Sequence, residues 1–153
     1  MLAVNNLCIE RNGRAIIRDL SFTLEGQKRL FVQGEIGSGK TTLLLALLGF
    51  VPISRGEIQL FGQVCRDEKD FAPFRGTIGI CFQNADDQLF GPTVLDDVAF
   101  GPLNQNIPRE LAYHIAQQQL ERLGITHLKD RMVHTLSGGE KNFTALAGVL
   151  AMQ

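Results

Sequence analysis

The sequence has no tryptophan, one tyrosine and only three cysteines in 153 residues. Cys8, Cys65 and Cys81 lie far apart and form no C-x-x-C pair. That spacing excludes a disulfide framework and a zinc ribbon, and leaves each thiol as a small apolar side chain in a reducing compartment. His114, His127 and His134 form no ligand-spaced cluster, so no metal centre is expected from them. Charge of either sign is also in short supply. Lys plus Arg number 15 and Asp plus Glu 16, for a formal net charge of −1. Without a basic surplus there is no case for nucleic acid as a partner, and no charge block reads as an interaction tail. Long hydrophobic runs are missing as well. The longest, Leu43 to Val51, is about half of what a bilayer crossing needs. Met1 to Glu10 has neither a basic start nor a continuous apolar stretch, so it does not read as a signal peptide. The chain is therefore expected in the cytoplasm unless a partner holds it at a membrane.

What is present suffices for a packed core: 44% of residues are hydrophobic and 20% charged. The length fits one domain, or one domain with a small inserted piece. Leu2 to Glu10 and Arg14 to Leu24 alternate in part and flank Asn12-Gly13, a hairpin signal. Lys28 to Gln33 reads as a short buried strand. Lys40 to Leu48 reads as a helix that stops at Gly49, with Pro52 beyond it. Gly56 to Phe61 predicts a strand closed by Gly62. Arg66 to Arg75 predicts a loop or a short helical turn, and Thr77 to Phe82 another buried strand. From Gln83 the chain turns more polar and helical. Thr93 and Asp96 have capping-box spacing for a helix to Phe100, ended by Gly101-Pro102. Pro108 to Leu123 predicts an amphipathic helix with Leu111, Ile115, Leu120 and Leu123 near one face. Gln117 to Gln119 fall mostly off that face. A last apolar helix opens at Ser137. No repeat or low-complexity segment interrupts this layout, which is that of an α/β core with a helical insertion.

Between the predicted strand Lys28–Gln33 and the first helix lies Gly34-Glu35-Ile36-Gly37-Ser38-Gly39-Lys40-Thr41, a full match to G-x-x-x-x-G-K-[ST]. Each position has a chemical reason. Gly34, Gly37 and Gly39 lack a Cβ, so the backbone can take positive φ and come close to phosphate oxygens. The loop N–H groups then converge into an anion-binding nest, and the following helix adds its unsatisfied N–H groups and positive dipole end. Lys40 can reach the β and γ phosphates. The Thr41 hydroxyl can ligate Mg²⁺, with Thr42 a second hydroxyl behind it. An ordinary glycine-rich turn before a helix fits this ordered set far less well.

Two later features bear on the kind of nucleotide protein. Gln83, at the end of the Thr77–Phe82 run, stands where ligand crevices open in α/β sheets, and its carbonyl could bind Mg²⁺ or orient water. Taken alone, a strand-end glutamine facing solvent is the simpler explanation. Leu136-Ser137-Gly138-Gly139-Glu140 sets a capping box at a helix start with two glycines that leave N–H groups accessible, a second anion-receiving terminus or merely a capped helix.

Taken together, these residues resemble the ATP-binding subunit of an ABC transporter. Gly34 to Thr41 matches that family's Walker A, Gln83 its Q-loop, and Leu136 to Glu140 its LSGGQ signature, with Glu in place of the last Gln. Phe82 to Asn104 is similar to the cobalt-importer and energy-coupling-factor subgroup. The resemblance implies a P-loop NTPase core of ABC type: residues 1–83 a β and P-loop core, 84–140 a helical subdomain, and 141–153 the start of a return to the core. It implies ATP and Mg²⁺ as cofactors, with two subunits facing head to tail. Ser137 and Gly139 then meet the γ phosphate of a neighbour's ATP, while Thr41 and Gln83 serve the metal. It further implies a homo- or heterodimeric partner subunit, integral membrane subunits, and a peripheral place on the cytoplasmic face of the membrane. Asp86 to Phe90 would lie near the groove that receives a coupling helix. The carboxylates Asp86, Asp87, Asp96 and Asp97 are each expected on a solvated face.

The family's adenine-stacking aromatic has no counterpart from Cys8 to Arg14, where Arg11 is either a stacking guanidinium or a surface charge. Nor does any four-residue apolar run ending in Asp-Glu occur, so the family's Walker B pair is not among these residues, nor its switch His. The chain therefore reads as a shortened form with negligible ATPase activity of its own, and its Lys28–Gln33 strand is expected to carry an unpaired edge. Two other readings stay open: a gene fragment that at most binds nucleotide, and a small soluble P-loop kinase, against which LSGGE argues.

Overall fold

The computed structural model describes residues 1–152 and divides into two compact units, Met1–Arg75 and Gly76–Gln153. In the first, strands β1 (Leu2–Arg11) and β2 (Arg14–Leu24) form an antiparallel hairpin. Asn12 and Gly13 turn it with φ of 52° and 72°, the double positive φ that makes Asn-Gly the favoured pair. The partial alternation of β1 has a specific cause. Val4 and Leu7 are both fully buried though three residues apart, because the register shifts between them and Asn6 sits at φ 48°. The bulge absorbs one residue and keeps both side chains on the core face. The sheet runs in the order β2-β1-β3-β4, with β3 (Arg55–Leu60) and β4 (Gln63–Cys65) joined through Phe61 and Gly62, both at positive φ. Gly62 does close β3 as expected, and it does so by turning the chain into the short β4, which the sequence pattern did not announce.

Helix α1 spans Lys40–Leu47 and buries Leu43 and Ala46. Gly49 ends it at φ 76°, against the Phe71 ring. The charged stretch after β4 holds a four-residue helix, α2 (Glu68–Phe71), with a full Asp67/Asp70 capping box, and a 3₁₀ turn, Ala72–Phe74.

Lys28–Gln33 is not a strand. Its apolar residues are instead displayed: Leu30 is 45%, Phe31 78% and Val32 42% exposed. A strand exists only where a neighbouring strand completes its hydrogen-bond ladder, and no described strand pairs with this segment. The same reason removes the expected strand Thr77–Phe82 from the second unit, where Phe82 is 42% exposed.

The second unit is built on helices α3 (Val94–Asn104), α4 (Arg109–Arg122) and α5 (Gly138–Ala151). They pack around Val94, Val98, Leu120, Leu128 and Ala147. Helix α3 continues through Gly101-Pro102, where the sequence predicted its end. Pro102 is fully buried inside the last turn, and its carbonyl accepts from the Gln105 and Ile107 amides. A proline this near a C-terminus forfeits one N–H bond, and its buried ring offsets that loss. Gly101 is needed there because a Cβ would come within 2.5 Å of Met152 Cγ. On α4 the buried stripe is Ala112, Ala116 and Leu120, at i, i+4, i+8. Leu111, expected on that face, is 50% exposed at its margin, and Ile115 and Leu123 are half-buried.

Candidate functional site

The loop from Gly34 to Thr41 is closed by its own residues. Lys40 Nζ donates to the carbonyls of Gly34 at 2.8 Å and Glu35 at 2.7 Å, and to Ser38 Oγ at 3.4 Å. Two of the glycines are there for space. A Cβ on Gly34 would lie 2.6 Å from Ser38 Oγ, and one on Gly39 would lie 2.6 Å from Ile16 Cγ2. Gly37 and Gly39 also take φ of 82° and 94°. Gly39 is the N-cap of α1 and offers no side-chain cap, and no acidic residue stands in the first turn. The N–H groups and dipole of this helix start are thus left unanswered by the chain. Thr41 is exposed and Thr42 half-buried in that first turn.

Gln83 is exposed, in a loop rather than at a strand end. Asn84 caps a 3₁₀ turn, Ala85–Asp87, accepting from the Asp86 amide at 3.3 Å. Before Gln83, the Phe82 amide donates to Gln88 Oε1 at 3.0 Å, and Gln88 Nε2 donates to the Ala145 carbonyl on α5 at 3.4 Å.

The second motif forms its capping box in full. Ser137 Oγ accepts from the Glu140 amide at 3.4 Å, and Glu140 Oε2 accepts from the Ser137 amide at 2.7 Å. Arg131 braces the carboxylate, with Nη1 3.1 Å from Glu140 Oε1 and Nη2 2.8 Å from the Thr135 carbonyl. The Ser137 backbone and hydroxyl bonds, and then Arg131, hold the Glu140 carboxyl below its ordinary range. Gly138 and Gly139 are exposed, with open space where a Cβ would stand.

The acidic residues between these features were each expected on a solvated face, and not all of them lie there. Asp97 is only 8% exposed, and its Oδ1 accepts from the Phe90 amide at 2.8 Å and the Gly91 amide at 2.6 Å. Asp96 accepts the Thr93 and Tyr113 hydroxyls, which lower its pKa, and so makes only half of the expected capping box. Asp86 is paired with Lys141, and Asp87 is exposed. Gln88, Arg131 and Tyr113 were not singled out from the sequence, and Asp97 was expected in solvent, because none has a local motif; their partners are set by packing. The first unit thus assembles Gly34 to Lys40 into one closed loop. The second brings the Gln83 segment against α5.

Residues 17–153 match the family model described as ABC transporter. This chain belongs to the ABC transporter family. It is 92% identical over all 153 residues to an uncharacterized ABC transporter ATP-binding protein of Haemophilus influenzae, of which it covers 70%. It is 38% identical over 143 residues to the energy-coupling factor transporter ATP-binding protein EcfA of Methanocaldococcus jannaschii, covering 93% of this chain and 51% of that one. Its structure superimposes with a TM-score of 0.89 on cbiO1 of Clostridium perfringens, described as part of the ABC transporter complex cbiONQ. That comparison has 33% identity and covers 99% of this chain and 61% of the other. The chain thus spans between about half and 70% of the length of these relatives. The α/β fold with an N-terminal antiparallel sheet and helices is that of this family's ATPase. No described helix is long and apolar enough to cross a membrane.

The family implies ATP with Mg²⁺, and the residues present fit that group. The start of α1 has free N–H groups, no acid and no side-chain cap, with an ammonium group beside it. A triphosphate supplies the charge that this set of donors lacks.

Proposed function

We propose that the chain is the nucleotide-binding part of an ABC importer of the energy-coupling kind. Such an importer takes up a metal ion such as cobalt or nickel, or a vitamin. Gly34 to Thr42 hold the ATP phosphates with backbone N–H groups. Lys40 exchanges its bonds to the Gly34 and Glu35 carbonyls for bonds to the β and γ phosphates. Thr41 and Gln83 would hold Mg²⁺, which supplies charge neutralisation at the phosphate oxygens. Ser137 and Gly139 are offered to the ATP of a second subunit, and integral membrane subunits keep the protein at the cytoplasmic face. The names of the EcfA and cbiO1 relatives support the importer subgroup.

Because these 153 residues hold no apolar run ending in Asp-Glu, we expect them to bind nucleotide without turning it over. The carrying observation is the uncapped α1 terminus joined to the Lys40-closed loop. Equilibrium titration with Mg-ATP tests it. Lys40→Ala should weaken binding at least tenfold, about 1.4 kcal/mol or more. Unchanged affinity in a folded variant would overturn the assignment.

A further inference from the structure

We propose that Lys141 and Gln88 are positioning residues that fasten the Gln83 loop to the signature helix α5, so that loop and helix respond to nucleotide together. The inference rests on the reading above, in which Gln83 and Ser137 meet nucleotide, and adds the connection between them.

Lys141 begins the second turn of α5 with its side chain only 16% exposed. A lysine is rarely buried so far without a reason, since its stem loses rotamer freedom and its ammonium loses water. The ammonium here meets Asp86 on the 3₁₀ turn just after Gln83. One helical turn further along α5, the Ala145 carbonyl accepts from Gln88 Nε2 at 3.4 Å. The oxygen of that same amide takes the Phe82 N–H, the residue before Gln83, at 3.0 Å. Gln83 is therefore held from both sides, at Phe82 and at Asp86, by contacts one turn apart on α5. Its own side chain stays exposed.

These contacts do work that a sheet ladder does elsewhere. Phe82 sits outside any strand, so its N–H has a side-chain acceptor in place of a neighbouring strand. A satisfied amide that spans loop and helix fixes their spacing, and an ion pair four residues away fixes their rotation. A helix of 14 residues is stiff enough to carry a displacement at Lys141 and Ala145 to Ser137 at its start. The pair Asp86–Lys141 and the bridge through Gln88 are independent, so removing one loosens the loop and removing both frees it.

The test uses ¹⁵N NMR of the 153-residue chain. In Gln88→Leu the Phe82 amide should exchange with solvent at least tenfold faster. In Lys141→Met the signals of residues 83–87 should move and broaden, and the charge swap Asp86→Lys with Lys141→Asp should restore them, which a general packing loss would not allow. Mg-ATP should shift Gln83 and the Ser137–Lys141 amides in the parent chain. In the Gln88→Leu, Lys141→Met double variant the Gln83 shift should persist while the response at Ser137–Gly139 falls at least threefold. An undiminished response there in the folded double variant, or unchanged Phe82 exchange in Gln88→Leu, would overturn the proposal. A parent chain that binds Mg-ATP with no shift at Gln83 would instead overturn the Gln83 assignment. The fastening would then stand or fall on Phe82 exchange and the charge-swap rescue.

Discussion

Helices α1 and α5 start from similar raw material, yet their N-termini end in opposite states. Both begin in a glycine-bearing motif that reads as an anion-receiving end. At α1 the cap is Gly39, with no side-chain bond and no acid in the first turn. At α5 the chain answers its own helix: Ser137 and Glu140 bond each other's amides, and a carboxylate sits on the positive end. A helix terminus is a ligand site in proportion to what the chain leaves unsatisfied. On that measure α1 needs an anion from outside. The α5 terminus presents only the exposed backbone of Gly138 and Gly139 around an internal acid, itself balanced by Arg131. The substitution of Glu for the family's last Gln thus lands where the chain holds a compensating guanidinium.

The difference between the two helix starts disappears when α1 is given what α5 already has. Gly39→Asp places a Cβ against Ile16, at a φ of 94°, and puts a carboxylate at the helix start. Mg-ATP affinity should fall by about a hundredfold, or about 2.7 kcal/mol, in titration of the folded variant. Lys40→Ala comes next, with at least a tenfold loss and no large change in folding, because Lys40 bonds only to loop atoms. On the other helix, Ser137→Ala removes the cap and should cost about 1 kcal/mol in urea unfolding of the second unit. It should leave binding at the phosphate loop unchanged.

The smallest effect expected is that of Glu140→Gln. The amide keeps an acceptor for the Ser137 N–H but loses its charge partner Arg131. The variant should lose a small amount of stability at neutral pH and converge with the parent in acid, so its acid dependence should shrink. The Glu140 carboxyl is lowered in the fold from an ordinary 4.5. Its contribution is therefore complete above that value and is lost as pH falls through the lower folded pKa. Unfolding curves between neutral and acidic pH should show a shallower acid limb for the variant, and unaltered limbs would remove the charge from the account of α5.

The elements legible in the sequence share one property: their signals are local. Asn12-Gly13 turns its hairpin because both residues tolerate positive φ. Gly39 and Gly49 bracket α1 for the same reason, and Ser137 with Glu140 completes a box within four residues. The misses depend on distant partners. Lys28–Gln33 and Thr77–Phe82 have strand composition, but β structure requires a ladder, and no described strand supplies one to either. Asp97 looks like any acid in Val94-Leu95-Asp96-Asp97, and only the folded path of Phe90 and Gly91 turns it inward.

By itself, then, the sequence determined the phosphate loop, the two helix starts and the family, because each is written in residues close along the chain whose backbone chemistry needs no context. Tertiary structure alone decided that α3 runs past Pro102, and that Gln88 and Lys141 bind the Gln83 loop to α5. Those outcomes turn on burial and hydrogen-bond partners up to 57 residues apart, as in the bond from Gln88 to Ala145, and no local pattern encodes a partner at that distance.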